Sequence, residues 1–368
     1  MKTLTVHDPE KKPIYDILFS KDYSALPDAL QSKLLVYAGR RICIVSETNV
    51  APLYADEVVA LFRQCGAEVT VFVFPAGEAS KNLDVVRQLY EHLILQHFDR
   101  KDMLVALGGG VVGDLTGFCA ATYLRGIDFI QLPTSLLSQV DSSIGGKTGV
   151  DFDAYKNMVG AFYQPKLVYI NLSVLKTLGE KEYLSGMGEI IKHGLIKDKN
   201  YYQEIKDSVS GILARDTDVL ENIVYQSCDI KRHVVENDPK EKGERALLNF
   251  GHTIGHAIEK LANFRLLHGD CVSIGACAAA FLSMKRGMIS PEEYDSIVHT
   301  FESYHLPVSL SETDSHINSR QVVSATKLDK KMESGHIKFI LLQEIGSAVI
   351  DKTVSDDELL CAVSSVLK

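Results

Sequence analysis

Alternating β-rich and helix-forming stretches in the first half of the chain, followed after about Leu178 by helical periodicity, predict an α/β domain joined to a mostly α-helical one. Length supports the division: 368 residues exceed one ordinary core and suit two domains, read here as 1–178 and 179–368. In the first, strand-forming runs occupy 41–45, 69–74, 103–107, 129–132 and 167–170. Separated by helix-length stretches, they predict a largely parallel, helix-covered sheet. Two earlier runs, 4–6 and 15–19, are expected to pair antiparallel as an N-terminal appendage. In the second domain helical periodicity covers 182–196, 219–236, 253–261 and 272–286, with a polar turn at 238–243. No internal repeat or low-complexity tract interrupts the pattern.

Composition is that of an ordinary folded protein, 46% hydrophobic and 24% charged. The longest apolar run, 272–284, is Ala-rich and falls short of the ~18 residues that cross a bilayer, so it is expected as a buried helix and no membrane partner is expected. A formal net charge of −9 argues against nucleic acid or anionic lipid as partner. Any anion site must therefore be local. Lys2, Lys11 and Lys12 are followed by no apolar export segment, and the seven cysteines form no CxxC pair. Reduced thiols and a cytoplasmic location are the expectation.

Three groups of residues have the chemistry of a site. Gly108, Gly109, Gly110 and Gly113 follow an apolar strand and open a helix, the context in which GxGxxG lets backbone amides approach a pyrophosphate. Tight strand-to-helix turns need glycine for packing too, so the turn alone leaves dinucleotide binding open. The run 143–148 ends like a phosphate-binding P-loop but has Asp141 where the first glycine would stand. His252 and His256 lie one helical turn apart, suited to a metal or a shared anion, and Thr253 in place of Glu argues against a zinc-protease motif. With His268 and Glu189 nearby in type, one carboxylate and two imidazoles plus an open position would make a catalytic zinc site. Lys147, Lys156, Lys192, Lys231, Arg245, Lys330 and Lys331 gather around these segments of an acidic chain, as a phosphorylated, carboxylated substrate would require.

The segments GGGVVGDLTGF (108–118), LPTSLLSQVDSSIGGKTGVD (132–151), KNMVGAFYQP (156–165), GMGEIIKHGLI (186–196) and LLNFGHTIGHAIE (247–259) together resemble the 3-dehydroquinate synthase family. The resemblance runs over nearly the whole chain and is densest from 103 to 270. It implies an N-terminal Rossmann-like NAD-binding domain, a C-terminal helical metal- and substrate-binding domain and an active site between them. It further implies Glu189, His252 and His268 as ligands of a divalent metal, zinc or in its place cobalt, with His256 in the substrate site. NAD contacts are implied at Gly77, Glu78 and Lys81, at Gly110, Val111, Val112, Gly113 and Asp114, and at Thr134, Ser135, Lys147 and Lys156. Glu47 stands where many relatives carry Asp, and either carboxylate accepts from ribose hydroxyls. Gly188 stands where Ala is usual.

Substrate contacts are implied at Asp141, Asn157, Lys192, Lys231, Arg245, Asn249, His256 and one of Lys330 or Lys331. Asn249 and His256 follow Arg245 by four and eleven residues, which on a helix would turn them to one pocket. The implied reaction is conversion of a seven-carbon sugar acid phosphate to 3-dehydroquinate and phosphate, a step of the shikimate pathway of aromatic amino acid biosynthesis. It runs by transient oxidation with NAD, phosphate elimination, reduction, ring opening and intramolecular aldol closure, in a homodimer. Rival readings are a sister sugar-phosphate cyclase, a metal-dependent alcohol dehydrogenase that would consume NAD, and a non-catalytic NAD-binding module. The joint presence of Lys192, Lys231, Arg245, Asn249 and His256 favours the first-named family.

Overall fold

The computed structural model describes residues 2–153, 155–263, 265–312, 317–330 and 338–367. The chain forms two units, Met1–Leu178 and Gly179–Lys368. In order, the first unit contains β1 (Lys2–His7), β2 (Pro13–Ser20), α1 (Leu26–Ser32), β3 (Arg41–Glu47), α2 (Ala51–Gln64), β4 (Glu68–Phe74), α3 (Leu83–Leu95), β5 (Met103–Gly108) and α4 (Gly110–Thr122). It ends with β6 (Asp128–Pro133), β7 (Lys147–Phe152), β8 (Tyr155–Phe162) and β9 (Leu167–Asn171). Seven strands form one sheet in the order β1-β2-β9-β6-β5-β3-β4. All its pairings are parallel except β1 with β2.

The alternation of side chains along each strand divides the core in two. Ile42, Ile44, Met103, Val105, Leu107, Ile130 and Leu132 pack on one face under α1 and α2. Cys43, Val45, Leu104, Ala106 and Phe129 pack on the other under α3 and α4. Burial on both faces explains why β5 reads as an unbroken apolar run rather than as an alternation. The N-terminal pair is not an appendage: β2 joins the main sheet beside β9, so Ile17 and Phe19 are fully buried. The hairpin of β7 and β8, a separate two-stranded sheet, was not foretold. Its glycines and polar residues mask the strand period, and tertiary packing decides the conformation.

The second unit contains α5 (Glu180–Lys197), α6 (Lys199–Asp207), α7 (Val209–Leu213), α8 (Thr217–Asn237), α9 (His252–Leu261), α10 (His268–Lys285), α11 (Pro291–Ser303) and α12 (Ser319–Lys330). A hairpin of β10 (Phe339–Glu344) and β11 (Ser347–Asp351) precedes α13 (Asp356–Ser365). The four helical stretches read from the sequence correspond to α5, α8, α9 and α10. The apolar run 272–284 lies within α10 and is almost wholly buried. No helix among the described residues is long and apolar enough to cross a membrane.

Helix contacts in this unit depend on missing side chains. A Cβ at Gly269 in α10 would collide with the backbone carbonyl of Ser185 in α5, and one at Gly188 would lie 2.8 Å from the carbonyl oxygen of Gly269. Gly188 therefore lies where α5 packs against the backbone of Gly269 in α10. Gly251, just before α9, has φ of 79°, and a Cβ there would lie 2.8 Å from the backbone nitrogen of Ala276. Only glycine meets both demands cheaply.

Candidate functional site

In the first unit, β3 runs on to β4 on one side while β5 lies on its other side. This is a topological switch point, where open parallel sheets receive ligands at the carboxyl ends of their strands. The loops there begin with Glu47 and with Gly108. Part of the glycine pattern serves packing: a Cβ at Gly108 would strike Val112, and one at Gly113 would lie 2.7 Å from Gln131 Oε1. Gly109 differs, since its Cβ would make only an ordinary 3.4 Å contact with Ser135 Oγ. Internal packing does not require glycine at that position, and without a side chain the backbone there is open to close approach. Gly109 offers no side-chain cap to α4, which leaves the first amides of the helix available to an anion.

The other implied nucleotide residues gather around this turn. Gly77, with φ of 108°, leads into the short turn of Glu78–Ser80. The buried Lys81 donates to Asp114 Oδ2 and Asn157 Oδ1, each at 2.6 Å. Burial opposes the Lys81 charge, but Asp114 and Glu78 outweigh it and hold the pKa above that of an ordinary lysine. Lys156 Nζ lies 3.5 Å from Glu78 Oε1, and the Asn157 amide donates to Asp151 Oδ1 at 2.7 Å. Thr134 donates its amide to the Gly108 carbonyl at 3.0 Å, and Ser135 follows it. Val111 is half-buried, whereas the Val112 side chain is committed to the core, so Val112 can meet a ligand only through its backbone. Glu47 accepts from the amides of Asn49 and Val50 at 2.7 and 3.0 Å, a turn that starts α2. Lys147 opens β7, exposed, and Asp141 lies in the turn Ser138–Ser142, whose Ser142 faces Gly110.

The second unit brings together three helices. Glu189 and Lys192 come from the middle of α5, His252 and His256 from α9, and His268 from the start of α10. Glu189 is fully buried, and its Oε1 lies 3.5 Å from Nε2 of His252 and 3.4 Å from Nε2 of His268. Among the described residues that oxygen has no hydrogen-bond partner. Its other oxygen accepts from Lys192. An uncompensated buried carboxylate oxygen is costly, and it faces two imidazole nitrogens. Four ligands on bonds of about 2.0–2.1 Å around zinc stand roughly 3.3–3.4 Å apart, so these separations match edges of a tetrahedron with an open corner. The residues present fit a divalent metal.

Two of the three donors stand in the protonation state a metal needs. Burial would raise the Glu189 carboxyl, but Lys192 and the imidazoles of His268 and His252 hold it well below the usual carboxylate range. Burial, together with the Lys192 charge, keeps His252 well below an ordinary imidazole and hence neutral. For His268 burial is overcome by Glu189 and Glu259, which push its pKa up to about 10. Metal binding would displace that proton. The His256 ring centroid stands 5.1 Å from that of His252 and 5.9 Å from that of His268, and His256 itself is exposed.

Of the implied substrate residues, Asp141 and Asn157 belong to the first unit and the rest to this one, where Arg245 and Asn249 do not follow the helical spacing read from the sequence. Arg245 and Asn249 belong to a short 3-10 turn, Glu244–Asn249, and left-handed Gly251 separates it from α9. Arg245 is 2% exposed and donates from Nη1 to the Pro239 carbonyl at 2.9 Å. Asp238 closes the loop by accepting from the amides of Lys242, Gly243 and Arg245 at 2.9, 2.7 and 3.1 Å. Asn249 donates to Glu241 Oε1 at 2.9 Å. Asp238 and Glu241 fall in the polar turn read at 238–243, but no sequence signal paired them with Arg245 and Asn249. Lys231 is buried on α8. Lys331 and the side chain of Lys330 lie outside the described residues.

Residues 71–185 match the 3-dehydroquinate synthase N-terminal family, and residues 186–332 match the C-terminal one. The chain is 46% identical over 353 residues to the 3-dehydroquinate synthase of Acetivibrio thermocellus, covering 96% of each. Among solved structures it is similar to 2-epi-5-epi-valiolone synthase from Streptomyces hygroscopicus subsp. jinggangensis, with NAD+ and Zn2+ bound, at a TM-score of 0.87, 25% identity and 96% coverage of each chain. A 2-deoxy-scyllo-inosose synthase complexed with carbaglucose-6-phosphate, NAD+ and Co2+ shares the fold at a TM-score of 0.88, 22% identity and full coverage of both chains.

Proposed function

The chain belongs to the 3-dehydroquinate synthase family, and from that premise we propose how its residues divide the work of the reaction. The reaction is conversion of 3-deoxy-D-arabino-heptulosonate 7-phosphate to 3-dehydroquinate and phosphate. Loss of phosphate breaks a carbon–oxygen bond, which places the activity among the lyases. NAD and a divalent metal serve as cofactors. When bound, NAD supplies a reversible hydride acceptor and the metal a Lewis acid for substrate oxygens.

Glu189, His252 and His268 would hold the metal, and the single observation that carries this reading is the unpartnered Glu189 oxygen between two imidazole nitrogens. Lys192 holds the other carboxylate oxygen and keeps Glu189 ionised. The glycine turn of Gly110, Val111, Val112 and Gly113 presents backbone amides to the NAD pyrophosphate. Gly77, Glu78, Lys81, Asp114, Thr134, Ser135, Lys147 and Lys156 would bind the nucleotide, and the Glu47 carboxylate would accept from ribose hydroxyls. Lys192, Lys231 and Arg245 supply the positive charge that a carboxylate and a phosphate both need. Asp141, Asn157, Asn249 and His256 orient the sugar hydroxyls. Fixing one conformer of the open chain replaces much of the entropy cost of cyclisation.

The test is a side-by-side assay of the heptulosonate phosphate, glucose 6-phosphate and sedoheptulose 7-phosphate, with cyclic products identified by mass. Only the first should be cyclised rapidly, with phosphate released and no net NADH formed. Comparable turnover of either carboxylate-free sugar would move the assignment to a sister cyclase, and stoichiometric NADH would move it to a dehydrogenase.

A further inference from the structure

Two histidines are not all that α9 directs toward the metal centre. His252, His256 and Glu259 follow one another at spacings of four and three residues, so all three share one face of the helix. Glu259 is 6% exposed, and its Oε2 lies 3.7 Å from Nδ1 of His268. The other nitrogen of the same ring, Nε2, faces Glu189 Oε1 at 3.4 Å. The in-plane lone pairs of the two imidazole nitrogens diverge, so one ring cannot offer both to a single ion. Glu259 therefore stands behind the imidazole, on the side away from Glu189.

The other two donors are braced in a comparable manner. His252 turns Nδ1 to the Phe250 carbonyl at 3.1 Å and Nε2 to Glu189. Glu189 has its second oxygen engaged by Lys192. His268 needs such a brace more than His252 does. It is the first residue of its helix, without a preceding helical turn to pack against, and its side chain is 28% exposed where that of His252 is 11% exposed. We propose that Glu259 is a positioning residue of the metal centre: it holds the His268 ring with Nδ1–H toward its own carboxylate and the Nε2 lone pair toward the ion. The inference rests on Glu189, His252 and His268 being the ligands. Carboxylates behind ligand histidines fix tautomer and ring orientation, and their loss typically weakens metal affinity about 10- to 100-fold.

The experiment strips the full-length protein of metal and measures Zn2+ affinity by chelator competition for wild type, Glu259→Gln, Glu259→Ala and His268→Ala. Visible absorption of the Co2+-loaded forms and thermal unfolding of the metal-free forms are recorded alongside. Glu259→Gln keeps the shape of the side chain and one acceptor, so it is expected to weaken Zn2+ about 10-fold, with Glu259→Ala nearer 100-fold. The Co2+ bands should shift or broaden, and because Glu259 helps hold a proton on metal-free His268, the metal-free melting temperature of Glu259→Gln should fall as well. Zn2+ affinity of Glu259→Gln within twofold of wild type overturns the proposal, as does a lowered metal-free melting temperature with unchanged affinity, the sign of a packing role. If Glu259→Gln does not fold, Glu259→Asp takes its place, because it keeps the charge and withdraws it by one methylene. Undiminished affinity in His268→Ala would instead remove the ligand assignment itself.

Discussion

The glycine turn of the first unit and the metal centre of the second are built in opposite ways. Around Gly108–Gly110 the turn offers backbone amides at the start of a helix, and one stretch of sequence after β5 carries most of it. The metal centre is made of side chains from α5, α9 and α10, 79 residues apart from Glu189 to His268, and glycines serve only to let those helices touch. In the first case glycine exposes a site; in the second it allows one to assemble. A backbone site tolerates changes of side chain around it. A site assembled from buried side chains is lost when a helix shifts by a fraction of its diameter.

The sharpest test of that contrast is removal of a metal donor. Glu189→Gln should lower turnover about a thousandfold or more, since a bound metal contributes several kcal/mol to stabilising charge in the transition state. The same variant should retain NAD affinity, measured by equilibrium titration, and chelation of the wild type should reproduce its effect. Loss of NAD binding in Glu189→Gln would break the separation of the two sites.

Next in size is Gly269→Ala. The new methyl group would collide with backbone rather than with a movable side-chain tip, so α10 must retreat from α5. Overpacking of this kind costs about 1–3 kcal/mol, and the displaced His268 should reduce Zn2+ content as well. Metal analysis and thermal unfolding of the same preparation check both effects. Gly113→Ala, whose neighbour is the movable amide of Gln131, should leave Zn2+ content intact and weaken NAD instead.

A smaller effect is expected from Lys81→Met. It removes the cation shared by Asp114 and Asn157, and NAD affinity should fall about 10-fold, a loss near that of one charge-assisted contact. Unchanged NAD affinity with unchanged folding would show that the Lys81 network is structural.

The smallest effect concerns neither site. Arg286 bonds to Glu358 at 2.7 and 2.9 Å and depresses the Glu358 pKa to about 2. A depressed folded-state pKa adds stability above the ordinary carboxylate value, and that stability is lost as pH falls through the folded-state value. Because the pair is partly exposed, the contribution is screened and small. Arg286→Ala should therefore narrow the gap in melting temperature between pH 6 and pH 3 by a few degrees at most, read by calorimetry. A gap wider than that of wild type would contradict the sign.

Much of this molecule could be read before it was seen. The run at 103–107 is apolar throughout, and that at 129–132 apolar but for Gln131, because β5 and β6 are covered on both faces, and that property needs no knowledge of their neighbours. Gly108–Gly113 after such a run announced a turn for the same local reason. The hairpin at β7 and β8 was not legible, since Gly149 and Gly160 lie opposite each other and break the pattern that would have marked it. The place of β2 in the main sheet was missed because a strand's sequence records that it is buried but not beside which strand.

For the metal centre, periodicity and spacing gave only the residue types, and the resemblance to a family gave the set Glu189, His252 and His268. His252 and His256 at helical spacing pointed to a shared ion, whereas the structure sets His252 with Glu189 and His268, and leaves His256 exposed. The sequence by itself determined the donor chemistry, the glycine turn, the order of strands and helices along the chain and the membership of a family. Tertiary structure alone decided that Glu189 Oε1 lies unpartnered between two Nε2 atoms, that Glu259 backs His268, and that Arg245 reaches its place through a 3-10 turn. The reason is physical. Periodicity and turn chemistry act over a few neighbouring residues, while the approach of α5 to α10 depends on which side chains are missing at Gly188 and Gly269, far apart in the chain.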